Sequence, residues 1–265
     1  EGASLEANKG AYSYAWMIIF AVIAAIMVLI GLYHIRMLPS NQIPSTTKKT
    51  TSEVGRELVA VIANFFTKKH IFYYICFIIL YRLAEGFIMK IAPLFLRASR
   101  EVGGLGLSLK EIGTLNGVFG SAAFVLGSLL AGIYVSKFGL KRTLFTLCCI
   151  FNLPFLAYTF LAVTQPTNVY LIGTCITMEY FGYGFGFVGL TLFMMQQIAP
   201  GKHQMSHYAF ASGIMNLGVM LPGMVSGYFS DLLGYRNFFI YVLIATIPAF
   251  LITYFIPFTY DDSKK

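Results

Sequence analysis

Charge is scarce in this chain. Of its 265 residues only 11% are Asp, Glu, Lys or Arg, less than half of the roughly 25% found in ordinary soluble domains. That shortage excludes a soluble fold. Acids are the rarer sign, 11 against 19 Lys and Arg, for a formal charge of +8. The bases nevertheless lie scattered between apolar runs, which excludes a basic nucleic-acid-binding tail and a disordered segment. Tryptophan is nearly missing, a single residue beside 17 Tyr and 25 Phe, and aromatics in such numbers suit a chain that meets lipid and its interfaces. The cysteines, Cys76, Cys148, Cys149 and Cys175, all fall within apolar runs, with no CxxC and no Cys/His pairing. No disulfide framework, zinc site or other cofactor is expected from them.

What the chain has instead is long hydrophobic runs. A bilayer-crossing helix needs about 20 mainly apolar residues. That ruler gives an all-α integral membrane fold with seven spans, near 14–35, 71–96, 112–135, 143–163, 170–198, 207–232 and 238–258. The first run is too long for a signal-peptide core, has no basic flank ahead of it, and ends at Tyr33-His34-Ile35-Arg36 without a small-residue cleavage site. Because Glu1 is not an initiator methionine, the sequence is expected to be part of a longer protein. Arg36, Lys48, Lys49, Arg56, Lys68, Lys69, Lys137, Lys141, Arg142, Lys202, Lys264 and Lys265 fall on one side of these spans. Only Lys9, Arg97, Arg100, Lys110 and Arg236 fall on the other. The richer side is predicted to be cytoplasmic, with the N-terminus of this chain outside and the C-terminus inside.

The longest connection, 37–69, opens with Pro39, Pro44 and Ser45-Thr46-Thr47, which read as a flexible loop. Thr50-Thr51-Ser52-Glu53 then has the pattern of a capping box. Val54, Leu58, Val61, Ile62 and Phe65 recur at helical spacing, with Lys68 and Lys69 at the end. This segment reads as an amphipathic helix in the membrane interface, its bases near anionic lipid headgroups. The alternative is a packing linker.

Ionisable residues within a bilayer cost about 2.5–3.5 kcal/mol each on insertion scales, so they need a partner or a wet cavity. Arg82 and Glu85 are three apart and project from nearly one helix face. At about 1.5 Å per residue from His70 they lie roughly 17–22 Å deep, near the middle of a core of about 30 Å. Glu179, counted from Tyr170, lies about 14 Å from the other side. Three ionisable groups thus fall near one depth. The planar fork of Arg82 suits a substrate carboxylate or phosphate. Glu85 or Glu179 suits binding and release of a proton. The competing reading has Arg82 and Glu85 neutralise each other as a structural pair, while Lys90, nearer the end of its span, snorkels.

Uncharged hydrogen-bonding capacity comes from Asn116, Gln196, Gln197, Asn216, Tyr183 and Tyr208. Of these Asn216 is the candidate for substrate contact, each of the others being more ordinary as a helix-contact residue. Gly182, Gly184, Gly186 and Gly189 crowd the fifth span, and Gly113/Gly117 and Gly223/Gly227 form GxxxG pairs. Both patterns fit close helix approach or bending. His203 and His207 have a spacing that can ligate metal, but no Glu follows His203 and no third ligand is evident. No metal site is expected. Met194 and Met195 read as packing or lipid-facing residues.

The six spans after the linker contain an internal repeat. One three-helix group carries Gly132, Ser136, Lys137, Gly139, Lys141 and Arg142 at the end of its middle helix. The other carries Gly227, Asp231, Gly234 and Arg236 at the same place. In each, glycines stand seven apart, with a small or acidic polar residue between and a base soon after the second. The two fall on opposite membrane faces, as an inverted-topology repeat requires.

These features resemble the major facilitator superfamily. Gly132 to Arg142 is similar to its loop motif G-x-x-x-D-[RK]-x-G-[RK]-[RK], with Ser136 standing where the family usually has Asp, which weakens that loop's charge relay. Within the superfamily the chain resembles the AmpG-like muropeptide permeases, which also resemble acetyl-coenzyme A transporters. The segments that carry this are Tyr81-Arg82-Leu83-Ala84-Glu85, Asn152-Leu153-Pro154-Phe155, Glu179 with Gly182 and Gly184, and Gly227 to Phe239, over roughly residues 30–258.

The resemblance implies a domain plan. Residues 1–36 are the last helix of an N-terminal half, 37–69 a cytoplasmic linker, 70–258 a six-helix C-terminal bundle, and 259–265 a cytoplasmic tail. It also implies partners: a small-molecule solute, the proton, membrane lipids and the N-terminal six-helix half, but no nucleic acid. The implied activity is not enzymatic. It is proton-coupled import of anhydro-muropeptides across the cell's inner membrane by alternating access, with acetyl-coenzyme A or another anionic solute or sugar derivative as the alternative cargo. A free-standing seven-helix receptor or light-driven pump fits less well, since the last span has no lysine for a retinal Schiff base. An intramembrane protease fits poorly too, because Gly120-Ser121 and Gly127-Ser128 lack a convincing nucleophile motif.

Overall fold

The computed structural model describes residues 2–37 and 50–260, with side chains described for 13–37, 50 and 52–260. The expected loop prolines Pro39 and Pro44, the Ser45-Thr46-Thr47 run, Lys48, Lys49 and the tail residues Lys264 and Lys265 lie outside the described residues. The chain divides into two units, 1–53 and 54–265.

The first unit is built on α1 (Gly2–Met37), of which Ser13–Met37 is long and apolar enough to cross a membrane. Apolar residues run around its whole circumference, as a lipid-embedded helix requires. At its far end the Glu53 carboxylate accepts a hydrogen bond from the Thr50 backbone N–H at 2.9 Å, one arm of the expected capping box.

The second unit starts within α2 (Thr51–Phe66). Val61 and Phe65 are buried, Phe65 stacking edge-on against His207 and Phe210, whereas Val54, Leu58 and Ile62 stay exposed. One edge of the apolar stripe therefore packs on protein and the other remains open. Lys68 does not reach outward. Its ammonium donates to the carbonyls of Ile198 and, at 2.8 Å, of Pro200, and partial burial pulls its pKa below the usual lysine value.

Among the described residues five segments are long and apolar enough to span: Ser13–Met37, Ile71–Arg97, Leu109–Phe138, Leu140–Thr164 and Gln204–Phe255. Several of the expected single helices prove to be broken. The 71–96 span consists of α3 (Ile71–Tyr81) and α4 (Leu83–Arg97), separated at Arg82 (φ −103°, ψ 6°). The next is α5 (Leu109–Ile112), a π-helical stretch Gly113–Gly120, and α6 (Ser121–Phe138). The 143–163 span divides into α7 (Leu140–Asn152) and α8 (Phe155–Thr164), because Pro154 offers no N–H to continue the ladder. The 170–198 segment is α9 (Val169–Phe193) followed by a π-turn, Met194–Ile198. It is long, but Glu179 and its Gly- and Tyr-rich middle keep it less apolar than the five. The last two expected spans run together in α10 (Gln204–Ala245), broken at Gly234, and end in α11 (Ile247–Phe255).

Glycine decides which helices approach closely. α9 packs chiefly on α6 and α7, and α10 on α4. A Cβ at Gly184 would lie 2.9 Å from the Phe124 carbonyl carbon of α6, and one at Gly127 would overlap the Phe181 carbonyl oxygen of α9. At the other crossing, a Cβ on Gly86 would stand 2.7 Å from the Val219 carbonyl oxygen, and one on Gly218 3.0 Å from Ile79 Cα. In a membrane, association rests on such backbone approach because lipid removes the hydrophobic incentive. Gly113 and Gly117, by contrast, face open space, so that GxxxG pair meets no neighbouring helix among the described residues.

The two matched loops share a backbone conformation. Gly139 has φ 78°, ψ 149° and Gly234 φ 68°, ψ 160°. That region is essentially restricted to glycine, so both turns need the residue the sequence repeats there.

Two apolar cores fill the bundle. One gathers Phe65, Phe77, Tyr81, Phe151 and Phe193, and the other Phe87, Phe95, Phe155, Ile172, Phe238 and Phe239. In chain order Arg82 and Glu85 lie between Tyr81 of the first core and Phe87 of the second. That seam is where the polar chemistry sits.

Candidate functional site

The break at Arg82 creates the site. Where α3 stops and α4 begins, the helix restarts with Glu85 in its first turn, close to the partial positive charge of a helix N-terminus. Arg82 and Glu85 then pair bidentately, Nε donating to Oε2 at 2.6 Å and Nη2 to Oε1 at 2.5 Å. Both side chains are buried, at 6% and 7% exposure. The guanidinium also faces α9, with Nη2 3.5 Å from the Tyr183 hydroxyl and the charge 5.4 Å from the centre of the Phe187 ring. The neighbouring Tyr81 hydroxyl donates to the Gly186 carbonyl at 2.9 Å, fixing α3 against α9 directly beside the pair.

Next to the pair is a cavity of about 120 Å³, lined by Glu85, Asn116, Tyr158, Glu179, Tyr180 and Tyr183 over an apolar floor that includes Ile88, Ala92 and Leu96. Glu85 and Glu179, far apart in sequence, thus share one small space. The Asn116 amide oxygen is buried and has no hydrogen-bond partner. Chemically the lining offers a paired carboxylate, a second carboxylate, and amide and phenol oxygens around a space large enough for water, with the Arg82 guanidinium bound to Glu85 beside it.

Of the residues expected from sequence, Arg82, Glu85 and Glu179 are brought together. Asn216 is not: it lies exposed on α10, outside the cavity lining. Lys90 is exposed on α4, its stem near Gly223. Gln197 is a clamp, its Oε1 accepting from the Thr259 and Tyr260 amides at 2.9 and 3.0 Å and its Nε2 donating to the Tyr260 carbonyl at 2.8 Å. His207 is buried with Nε2 3.3 Å from the Val61 carbonyl oxygen, and among the described residues no three His, Cys, Asp or Glu side chains are grouped to hold a metal ion. In the loop motifs, Ser136 turns back to donate to the Ile133 carbonyl at 2.9 Å, and Lys137 lies 5.5 Å from the centre of the Phe138 ring. Lys141, Arg142, Asp231 and Arg236 are exposed, and Gly132 and Gly227 border open space.

Two cavity residues escape sequence reasoning altogether. Tyr180 directly follows Glu179, and that adjacency was a usable signal. Tyr158 comes to the site only because the chain breaks at 153–154, and no local pattern marks it.

Helices apolar enough to span a membrane, with ionisable side chains buried in a cavity between them, define a class: multi-pass membrane transport proteins, whose intramembrane charges mark solute and ion pathways. The family model for the Major Facilitator Superfamily matches residues 10–203. The chain belongs to that family, whose members are transporters rather than enzymes. Among curated proteins it is similar to the anhydromuropeptide permease of Escherichia coli K12, 23% identical over 209 residues, covering 79% of this chain and 41% of that protein. It is also similar to a Rickettsia bellii protein described as "Putative transporter AmpG 1", 25% identical over 238 residues, covering 88% of this chain and 56% of that protein. The chain thus spans about half the length of the curated relatives it matches.

Proposed function

We propose that this chain is the C-terminal half, with the preceding helix, of a proton-coupled permease that imports anhydro-muropeptides across the cytoplasmic membrane. The observation that carries the reading is the junction of the Arg82–Glu85 pair with Glu179 at one small cavity. Arg82 attracts an anionic group of the substrate, and Glu85 or Glu179 takes up and releases the proton as access alternates. Asn216 lies outside this small cavity on an exposed face of α10, where it stays a candidate for substrate contact in the path between the halves.

The domain plan follows the same reading. Residues 1–36 supply the last helix of the N-terminal half, 37–69 the cytoplasmic linker, and 70–258 six spans in two inverted repeats. Two observations support the repeat. The first helix of each group packs on the second helix of the other: α4 on α10, and α9 on α6. The matched glycines, Gly139 and Gly234, also adopt the same backbone conformation. The bias of Lys and Arg toward one side supports a cytoplasmic C-terminus. One half supplies one wall of a translocation path, so the partner half is required for transport.

The test is uptake of labelled N-acetylglucosaminyl-anhydromuramyl tripeptide by cells that lack their own permease and express the full gene product. Uptake that an uncoupler stops is the expected result. Absence of uptake from a well-expressed protein removes this cargo and directs the assay to acetyl-coenzyme A and other anionic solutes. Glu179→Gln is expected to abolish accumulation against a gradient while leaving the protein folded, and unchanged accumulation would return Glu179 to a structural role.

A further inference from the structure

The cavity beside the Arg82–Glu85 pair has more oxygen than a proton site needs. A proton requires one carboxylate. Here two carboxylates, the amide of Asn116 and the phenols of Tyr158, Tyr180 and Tyr183 border the same space, and no Lys, Arg or His is among the lining residues. The Asn116 oxygen is buried and accepts no hydrogen bond. An amide oxygen so placed is satisfied only by a donor or by a cation. It is carried to the cavity by the π-helical stretch Gly113–Gly120, a form that recurs at functional sites because its widened turn re-aims side chains.

The charge count points the same way. Arg82 and Glu85 cancel in their bidentate pair, and among the described residues no ion pair engages Glu179. Glu179 is left as an unpaired carboxyl in a low-dielectric setting, where it stays neutral unless a cation accompanies its ionised form. Hard oxygen ligands select alkali and alkaline-earth ions over transition metals. The single charge that Glu179 carries once its proton has left matches a monovalent ion, and a cavity of about 120 Å³ holds a small cation with a few waters, at about 30 Å³ each.

We infer that this cavity is a sodium-ion site, with the Glu179 carboxylate and Asn116 Oδ1 as protein ligands and phenol hydroxyls and water completing the shell. Na⁺ and the proton compete for Glu179. The inference rests on the reading of Glu179 as the coupling carboxylate and extends it to a second ion.

The experiment measures the melting temperature of the purified full-length protein in NaCl, KCl and choline chloride at equal ionic strength. A saturable rise of about 5 °C in Na⁺ alone is expected, the shift that ligand concentrations well above Kd produce in a protein of this size. The rise should shrink as the pH is lowered and protons displace the ion. It should vanish in Asn116→Ala and Glu179→Gln. Equilibrium binding of ²²Na⁺, displaced by protons and not by K⁺, is the second measurement and is independent of melting behaviour. Equal melting in the three salts with no ²²Na⁺ retained, or a wild-type Na⁺ response in both variants, overturns the site. Uncoupler-sensitive uptake indifferent to Na⁺, with no ²²Na⁺ bound, overturns the sodium site and leaves the transporter reading intact. Na⁺-specific stabilisation lost in both variants, without muropeptide uptake, supports the site and removes only that cargo.

Discussion

Removing one member of the Arg82–Glu85 pair and then both separates its structural part from its functional part. The pair is bidentate, at 2.6 and 2.5 Å, and both side chains are nearly inaccessible. Arg82→Gln leaves the Glu85 carboxylate buried without its cation, and breaking a buried pair in this way costs about 3–5 kcal/mol. Glu85→Gln leaves a guanidinium that still has the Tyr183 hydroxyl and the Phe187 face, so its loss should sit at the lower end, about 3 kcal/mol. The double variant Arg82→Gln/Glu85→Gln buries no charge, and its amides can bond each other. It should lose only about 1–2 kcal/mol, which makes the coupling energy about 4–7 kcal/mol. Reversible unfolding in mixed detergent measures all three, and uptake is followed in the same variants. If the pair only neutralises itself, the double variant regains transport along with stability. If Arg82 binds the substrate anion, the double variant is stable and inactive. Single variants that each lose under about 1 kcal/mol would place the pair in the water-screened regime and refute the buried-pair argument.

Packing gives two further expectations. Gly184→Ala places a methyl against the Phe124 backbone, which cannot move aside cheaply, and should lose about 1–3 kcal/mol in the same unfolding assay, whereas Gly213→Ala, facing open space, should be neutral or slightly stabilising. Equal behaviour of the two would refute the close crossing of α6 and α9. Gly139→Ala and Gly234→Ala should each lose about 1–3 kcal/mol from forced backbone strain. A loss at one position and not at the other would count against the equivalence of the two loops.

Apolar run length made the membrane class legible, because a bilayer imposes a length that a single sequence can be measured against. The breaks were less legible. Pro154 announces the division of the 143–163 span through its missing N–H, and Gly234 marks the interruption of α10. Nothing local announces Arg82, whose neighbours Tyr81 and Leu83 are ordinary helix residues. Its break is flanked by one tertiary contact, the Tyr81 bond to Gly186, and one local contact, the pairing with Glu85 three residues on. The glycine-rich α9 signals that helices approach, but not which ones. Gly184 turns to α6, and Gly186 meets Leu147 and Phe151 of α7. The open Gly113/Gly117 pair shows that the same spacing elsewhere meets no partner among the described residues.

The site followed the same division between what depth reveals and what geometry decides. Counting rise per residue singles out Arg82, Glu85 and Glu179 as candidates, since a charge inside a bilayer stands out against its surroundings and needs a partner. Uncharged ligands carry no such mark. Sequence favoured Asn216 over Asn116, each a lone amide in an apolar span, yet it is Asn116, on the π-helical stretch, that lines the cavity with the carboxylates, while Asn216 stays on an exposed face. The widened turn thus carries information that neither composition nor 3.6-residue periodicity contains. It also explains why the charged part of the site was readable and its neutral part was not. Charges are chosen by the solvent they avoid, whereas neutral ligands are chosen by the backbone that aims them.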